Sequence, residues 1–456
     1  MNIYIHVEIS ARELDAKLLL AVFAASEGHQ VLISDLDSLI LGIEKKLLPP
    51  GIFHTKSLTP TIEKIKRHQM LIDRGFLITS MDEEGALDIE TYEQFSKTRY
   101  SDTTIKQSSA VFTWGDNDTE ALNRHYTKDA SKIFKTGSPR VDIWKPIFSD
   151  YWSYNKKIPS KPFLLISSNM GYGNNYFSFY ELVKKRHAMG YYEREPELIE
   201  EDFEVTSQQY LTTLNFIKAI RHLSEHNNGY DIILRPHPTE NIDAWKLYLK
   251  GLPNVHVIRE DSISFWINKA FAVMHNGCTT AIETTISEKP LLSYVPFKQK
   301  YTNNLPNKLG YLVETKEELT KKVNEIFNNS NDSSKETNNT KQNIISKKIY
   351  IDTSELSAIK IVKIWNKIDN GSLSKKINLN YFKLLLRIIK SKKKIKTLIR
   401  NLVLFKSGSN NYTDHKFGSL NNNDIEIKIN NIKKILKINT NINFQIISDR
   451  TIIIKK

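Results

Sequence analysis

The sequence predicts an α/β protein made of two consecutive open sheets of mainly parallel strands, followed by a basic C-terminal extension. Three observations lead there. At 456 residues the chain exceeds one ordinary domain, since domains run to about 100–200 residues. Short β-branched runs alternate with helical patterns, and the alternation restarts near the middle of the chain. Charge is partitioned: residues 371–456 hold 19 Lys/Arg and 4 Asp/Glu, which leaves 46 basic and 47 acidic residues before them.

In the first 150 residues NIYIHVEI reads as a strand, and ARELDAKLLLAVFAASEGH as a helix with a glycine stop. HQVLISD, a second helix, FLITS after Gly75, AVFTWG and KIFKTGS follow. The second unit, 151–327, contains the buried-strand runs PFLLISSN, YDIILRPHP, NVHVI, AVMHNG and KPLLSYV. Helical segments at 205–225, 239–250, 262–270 and 279–288 separate them, and the joint falls near Lys145–Pro162. Residues 328–347 are Asn/Ser/Thr/Lys-rich and read as a polar linker or loop. In 348–370, SELSAIKIVKIWNKI reads as an apolar-striped helix packing back on the body, capped by Thr353 or Ser354. The remainder, 371–456, reads as a basic tail or accessory module with strand-like pieces IEIKI and RTIIIKK. Ligands of open α/β sheets bind beyond the carboxyl ends of the strands, and two such domains facing each other place the site in the cleft between them.

Composition excludes several classes. With 40% apolar and 25% charged residues the chain can bury a core. A single cysteine, Cys278, rules out a disulfide framework and fits a reducing compartment. No apolar run approaches the roughly 20 residues that span a bilayer. The start lacks a basic segment before an apolar stretch, so a cytoplasmic, multidomain protein is expected.

Candidate chemistry lies at strand ends. Asp82-Glu83-Glu84-Gly85 follows FLITS; three adjacent carboxylates repel, which suits a general base for a hydroxyl, or they form a solvated acidic turn. Arg235-Pro236-His237-Pro238 ends a strand, and a fixed histidine there can donate to a phosphate or be a satisfied structural residue. After AVMHNG, Asn276 and Gly277 lead into a helix opening at Cys278–Thr280; its free amides and the Thr279 and Thr280 hydroxyls suit an anion, with Glu283 a turn later, or Thr is a plain cap. Ser168 and Asn169 lie in SSNMGYG after a strand, without the full dinucleotide spacing. Gly137-Ser138-Pro139-Arg140-Val141-Asp142 follows another strand. His6, Glu8 and Arg12 flank the first strand–helix turn. Asp35/Asp37 and Asp116/Asp118 precede helices and read as caps, and no zinc spacing, Walker lysine loop or nucleophile elbow is found.

Together these motifs resemble glycosyltransferases of the GT-B type, in which two Rossmann-like domains face each other across a cleft. More narrowly the chain is similar to bacterial sialyltransferases and related CMP-ulosonate (sialyl- or Kdo-type) enzymes, which share an acidic-acidic-glycine motif, a His-Pro and a Ser/Thr pair. Here Glu83-Glu84-Gly85, His237-Pro238 and Thr279-Thr280 stand in that order. RELDAKLL, TSMDEEG, GSPRVDIW, ISSNMGYGN, LRPHP and HNGCTTAIE also resemble bacterial surface carbohydrate biosynthesis proteins, over about residues 1–325. The resemblance implies transfer of an ulosonic acid from a CMP-sugar to a glycan or lipid-linked glycan acceptor in capsule or lipopolysaccharide synthesis. Glu84 or Glu83 would deprotonate the acceptor and His237 would meet the leaving phosphate. Arg235, Asn276, Gly277, Thr279, Thr280, Glu283, Ser168 and Asn169 would bind the donor, and Glu8, Arg12 and Asp82 the acceptor. No cofactor and no metal are expected. A UDP- or GDP-sugar transferase, a CDP-polyol transferase and a UDP-sugar 2-epimerase-like enzyme are the alternatives.

In 381–405, Leu384, Ile388, Ile395, Leu398, Leu402 and Phe405 recur at helical spacing beside the basic Lys392–Lys394 and Lys396. Such a helix can lie on the anionic inner face of the bacterial membrane, or pack on a neighbouring domain with solvated lysines. Aromatic interleaving is sparse, so no nucleic-acid partner is expected.

Overall fold

The computed structural model of the chain describes residues 1–84, 92–152, 158–297, 304–328, 344–346, 348–352, 354–369, 377–404 and 419–456, with backbone alone at 94, 194 and 392–404. They fall into two units, Met1–Tyr154 with Ser346–Lys456, and Asn155–Ile345. Strands β1 (Asn2–His6), β2 (Gln30–Ser34), β3 (Ile52–Thr55), β4 (Leu77–Met81), β5 (Ala110–Thr113) and β6 (Ile133–Lys135) belong to the first unit. Strands β7 (Phe163–Ser167), β8 (Asp231–Arg235), β9 (Val255–Val257), β10 (Ala272–His275), β11 (Leu291–Tyr294) and β12 (Tyr311–Val313) form the second. The chain then returns to the first unit with β13 (Asn443–Ser448) and β14 (Thr451–Lys455).

The second sheet is parallel throughout, in the order β12-β11-β10-β7-β8-β9. This is the Rossmann order, and its topological switch point lies between β7 and β10, the position at which open α/β sheets bind their ligands. The first sheet runs β13-β14-β2-β1-β3-β4-β5-β6, parallel from β2 to β6, with its switch point between β1 and β3. Both units are therefore Rossmann-like α/β units. Strands that are buried on both faces read as continuous apolar runs, which is why FLLIS of β7 is buried at every position.

Several expectations change in detail. β3 and β12 fall outside the predicted strands; β3 is only four residues long, after Pro49-Pro50-Gly51. A Cβ at Gly51 would sit 2.3 Å from the Asn2 carbonyl oxygen, so glycine permits the close entry into β3. IEIKI is not a strand. It lies in the helix Asn422–Ile435, capped by Asn421, whose buried residues Ile425, Ile429 and Ile432 follow the helical period.

The helix expected within 354–368 starts at Ser357, with Leu356 at its cap. Thr353 lies outside the described residues, and the cap acceptor is supplied from elsewhere: the Ala358 N–H donates to Asp142 Oδ2 at 2.9 Å. Asp142 thus gives GSPRVD a structural role, while Ser138 caps the helix Pro139–Trp144. Asp35 caps Leu36–Glu44 as expected, and Asp118 accepts the Trp114 and Gly115 amides.

The extension is not a free tail where it is described. Ile377, Phe382, Leu386, Ile447 and Ile453 join the first unit's core with Tyr4, Leu32 and Phe53. β14 pairs antiparallel with β2, through Ile452↔Ile33 and Ile454↔Val31. Most of the 328–347 linker, at 329–343 and 347, lies outside the described residues. Among the described residues no helix is long and apolar enough to cross a membrane.

Candidate functional site

Each unit carries its own candidate groups at the carboxyl ends of its strands. In the first unit β4 delivers Asp82, Glu83 and Glu84 into a turn; Gly85 lies outside the described residues. The three acids have different fates. Asp82 is buried, with Arg99 donating to both its oxygens (Nε–Oδ2 2.9 Å, Nη2–Oδ1 2.8 Å) and the Glu84 N–H donating at 2.9 Å. Asp82 therefore builds the turn instead of meeting an acceptor. Burial raises its pKa, although Arg99 opposes the rise.

Glu83 is also buried, and its Oε1 lies 2.5 Å from Lys17 Nζ. Burial pushes its pKa upward, but Lys17, Arg140 and Arg12 outweigh that and hold it below the ordinary value. It is a held anion, not a solvent-facing base. Glu84 is half exposed, with Arg12 at 3.8 Å and Arg99 at 3.5 Å, so it is the open acid of the motif. Glu8 pairs with Lys56 at the end of β1.

Two partners were not expected from the sequence. Both lie in the helix Ser10–Ser26, where Lys17 and Glu13 look like ordinary helix polar residues but are buried. Glu13 accepts the Glu8 N–H at 2.9 Å and faces Arg12 at 3.4 Å. Lys17 Nζ lies 3.5 Å from His54 Nε2, and His54 Nδ1 lies 3.1 Å from Thr79 Oγ1. Burial, then the Glu83 charge, push Glu13 up to about 7.

A folded pKa above the unfolded one makes the native state bind the extra proton, so this contribution is fully present at low pH and fades as pH rises toward about 7. Glu13→Gln mimics the protonated form. Its melting temperature is expected to match the parent below about pH 4 and exceed it near about pH 8, by up to about 3 kcal/mol of stability. Equal pH profiles for parent and variant count against this assignment.

In the second unit three loops meet at the ends of adjacent strands β10, β7 and β8. Glu240, fully buried, ties two of them together: it accepts from Ser168 Oγ (2.9 and 3.0 Å), Met170 N (3.0 Å), His237 N (3.2 Å) and Trp245 Nε1 (2.6 Å). The Ser168 hydroxyl is thus internal, which corrects its assignment to the donor; Asn169 stays partly exposed beside it. The third loop joins through Ser167 Oγ and Thr280 Oγ1, 3.2 Å apart.

His237 projects outward. The Thr239 N–H donates to His237 Nδ1 at 3.3 Å, and Thr239 Oγ1 lies 2.8 Å from the same atom. This assigns the ring proton to Nε2, free to donate to a bound anion. Burial of the ring against the turn lowers its pKa, with the Glu240 charge opposing and the Arg259 charge assisting, although part of the residue stays exposed. Arg235, expected at the donor, is engaged within the unit: its guanidinium donates to the Glu260 carbonyl at 2.6 Å and to that of Asp261. Burial lowers its pKa to about 10. Arg259, outside the sequence motifs, braces the His237 turn by donating to the His237 and Glu240 carbonyls.

At the end of β10, His275 is fully buried and shapes the turn, taking the Gly277 N–H at 2.9 Å on Nδ1. Gly277 has φ +90°, a left-handed conformation that favours glycine. Asn276 stands out at the switch point: among the described residues its buried Oδ1 has no hydrogen-bond partner, and its Nδ2 meets the Met170 sulfur at 3.9 Å. Thr279 is exposed at the cap of Thr280–Ile286, and its side chain makes no capping bond. Glu283, on that helix, is buried.

No family model matches the chain, and no curated protein matches it. Among solved structures it is similar to a Listeria monocytogenes protein assigned as a UDP-N-acetylglucosamine 2-epimerase, at 13% identity and TM-score 0.49, over 82% of this chain and 98% of that one. It is similar to the wall teichoic acid polymerase TagF, at 10% identity and TM-score 0.49, over 80% and 88%. A glycosyltransferase from Rickettsia africae shares 14% identity at TM-score 0.42, over 81% and 99%. None of these scores assigns an activity, a substrate or a partner to this chain.

Proposed function

We propose that this protein is a glycosyltransferase of surface polysaccharide synthesis that takes its sugar from a nucleotide-linked donor, a CMP-linked ulosonic acid by preference. The observation that carries the reading is the switch point of the second unit. There the Asn276 amide has an oxygen unmatched among the described residues, and at the end of the neighbouring β8 the His237 turn presents an Nε2–H. In the reaction the acceptor hydroxyl attacks the anomeric carbon, the bond from that carbon to the phosphate oxygen breaks, and the nucleotide leaves with its electron pair. His237 and the Thr279 and Thr280 hydroxyls meet the developing phosphate charge, and Asn276 binds the ribose or base. Glu84 takes the acceptor proton, with Arg12 beside it, and Glu83 is a positioning residue that keeps the turn charged. A nucleoside monophosphate has little charge to stabilise, so the reading includes no cofactor or metal.

The acceptor is proposed to be lipid-linked and reached from an anionic membrane surface. Tyr381, Leu384 and Ile388 are exposed on the helix Leu379–Leu404, which supports that placement together with Lys383, Arg387 and Lys390. Ile395, Leu398, Leu402, Phe405 and the lysines at 392–396 fall outside the described side chains.

A thermal-shift screen of CMP, UDP, GDP and CDP tests the donor. CMP is expected to raise the melting temperature most. His237→Ala is expected to weaken nucleotide binding about tenfold or more while leaving the ligand-free melting temperature near the parent's. UDP stabilisation with interconversion of the free sugar and no acceptor requirement supports an epimerase instead. Nucleotide binding that is indifferent to His237 and Asn276 replacement overturns the site.

A further inference from the structure

The first half of the helix Leu198–Glu225 has its polarity reversed. Inward it buries Asp202, Thr206, Thr212 and Thr213, and only from Phe216 onward does the buried face become apolar. Outward it exposes Ile199 (37%), Phe203 (56%), Tyr210 (56%), Leu211 (52%) and Leu214 (45%). Phe203, Ser207, Tyr210 and Leu214 advance along that exposed side by alternating steps of four and three, and Phe203 also meets the Phe179 ring at 4.5 Å. That is the spacing of a seam between two helices. A face that is apolar outside and polar inside is built to be covered.

Charge identifies the cover. The first turns carry Glu200, Glu201 and Glu204, and Lys218 and Arg221 lie toward the other end, ahead of Glu225. A parallel neighbour of the same sequence would set acid against acid. An antiparallel one, crossing near Tyr210 and Leu211, sets Glu200 and Glu204 of each helix beside Arg221 and Lys218 of the other. A two-fold interface requires a patch that complements itself, and this one does. From this arrangement we infer that the protein forms a two-fold dimer in which the helices Leu198–Glu225 of two copies pair antiparallel. The seam adjoins the candidate site: Gln209, next to Tyr210, accepts the Tyr172 and Gly173 N–H groups at 2.6 and 3.1 Å, so pairing braces the loop after β7.

Sedimentation velocity of the full chain over a range of concentrations tests this. The expected species has twice the 52.8 kDa of one chain. The surface double variant Tyr210→Glu, Leu214→Glu is expected to sediment as a monomer with an unchanged circular dichroism spectrum. Glu204→Lys and Lys218→Glu are each expected to weaken the dimer about tenfold, and the two together to restore it, because the swap rebuilds the complement. A parent that stays monomeric overturns the proposal, as does a dimer indifferent to these changes or a double swap as weak as its parts. Nucleotide binding measured alongside reports separately on the proposed function.

Discussion

Glu240→Ala is expected to cost the second unit about 5 kcal/mol, close to the whole stability of an ordinary domain. The side chain is fully buried and accepts from four different donors, two of them backbone amides. Each donor left unmatched in the interior costs about 1–3 kcal/mol, and water admitted to the cavity recovers part of that. Urea unfolding of the purified chain measures the loss, and limited proteolysis shows whether cleavage falls within 155–345. Glu240→Gln keeps one carbonyl acceptor and turns an NH₂ toward groups that themselves donate, so an intermediate loss is expected. A near-neutral alanine variant would mean that Glu240 does not hold the Ser168 and His237 loops together.

Lys17→Met is expected to destabilise the first unit by about 3–5 kcal/mol, because it leaves the Glu83 carboxylate buried beside an apolar side chain. Both side chains are nearly solvent-free, at 3% and 5% exposure, so water screens the pair little. The depressed pKa of Glu83 means that its contribution is present above the ordinary carboxylate range and is lost as pH falls through the folded value. With Lys17 gone, burial dominates and the sign reverses, so the variant is expected to be relatively more stable in acid. Adding Glu83→Gln to Lys17→Met is expected to recover much of the loss, since no charge then remains unpaired. If the double variant is as unstable as the sum of its parts, the two residues do not act as a pair.

What the sequence made legible follows a physical line. The end of each unit's catalytically suggestive strands was readable because a buried parallel strand is a continuous apolar run, and the polar residues that stop it are conspicuous; Asp82, His237 and Asn276 were found that way. Their partners were not. Lys17 sits mid-helix and Glu13 in the first turn, where a polar residue usually faces water, and only the packing of Ser10–Ser26 on several neighbours buries them. Glu240 lies two residues beyond Pro238 with no motif around it, and Arg235 looked like a phosphate ligand because the carbonyls it holds come from a turn 25 residues away. Alternation misled at IEIKI, where isoleucines at every second position mask the i, i+4, i+7 set that the helix buries.

The pairing of β14 with β2 joins Ile33 to Ile452. On the ribosome the early strands therefore emerge long before the segment that covers the β2 edge, and an uncovered edge is a template for strand addition by another chain. The intervening 155–345 is continuous in sequence and can reach its own fold in the meantime. Translation thus finishes the inserted unit before the unit that surrounds it, and the nascent first sheet depends on the exposed edge at β2 being shielded until the final strand arrives.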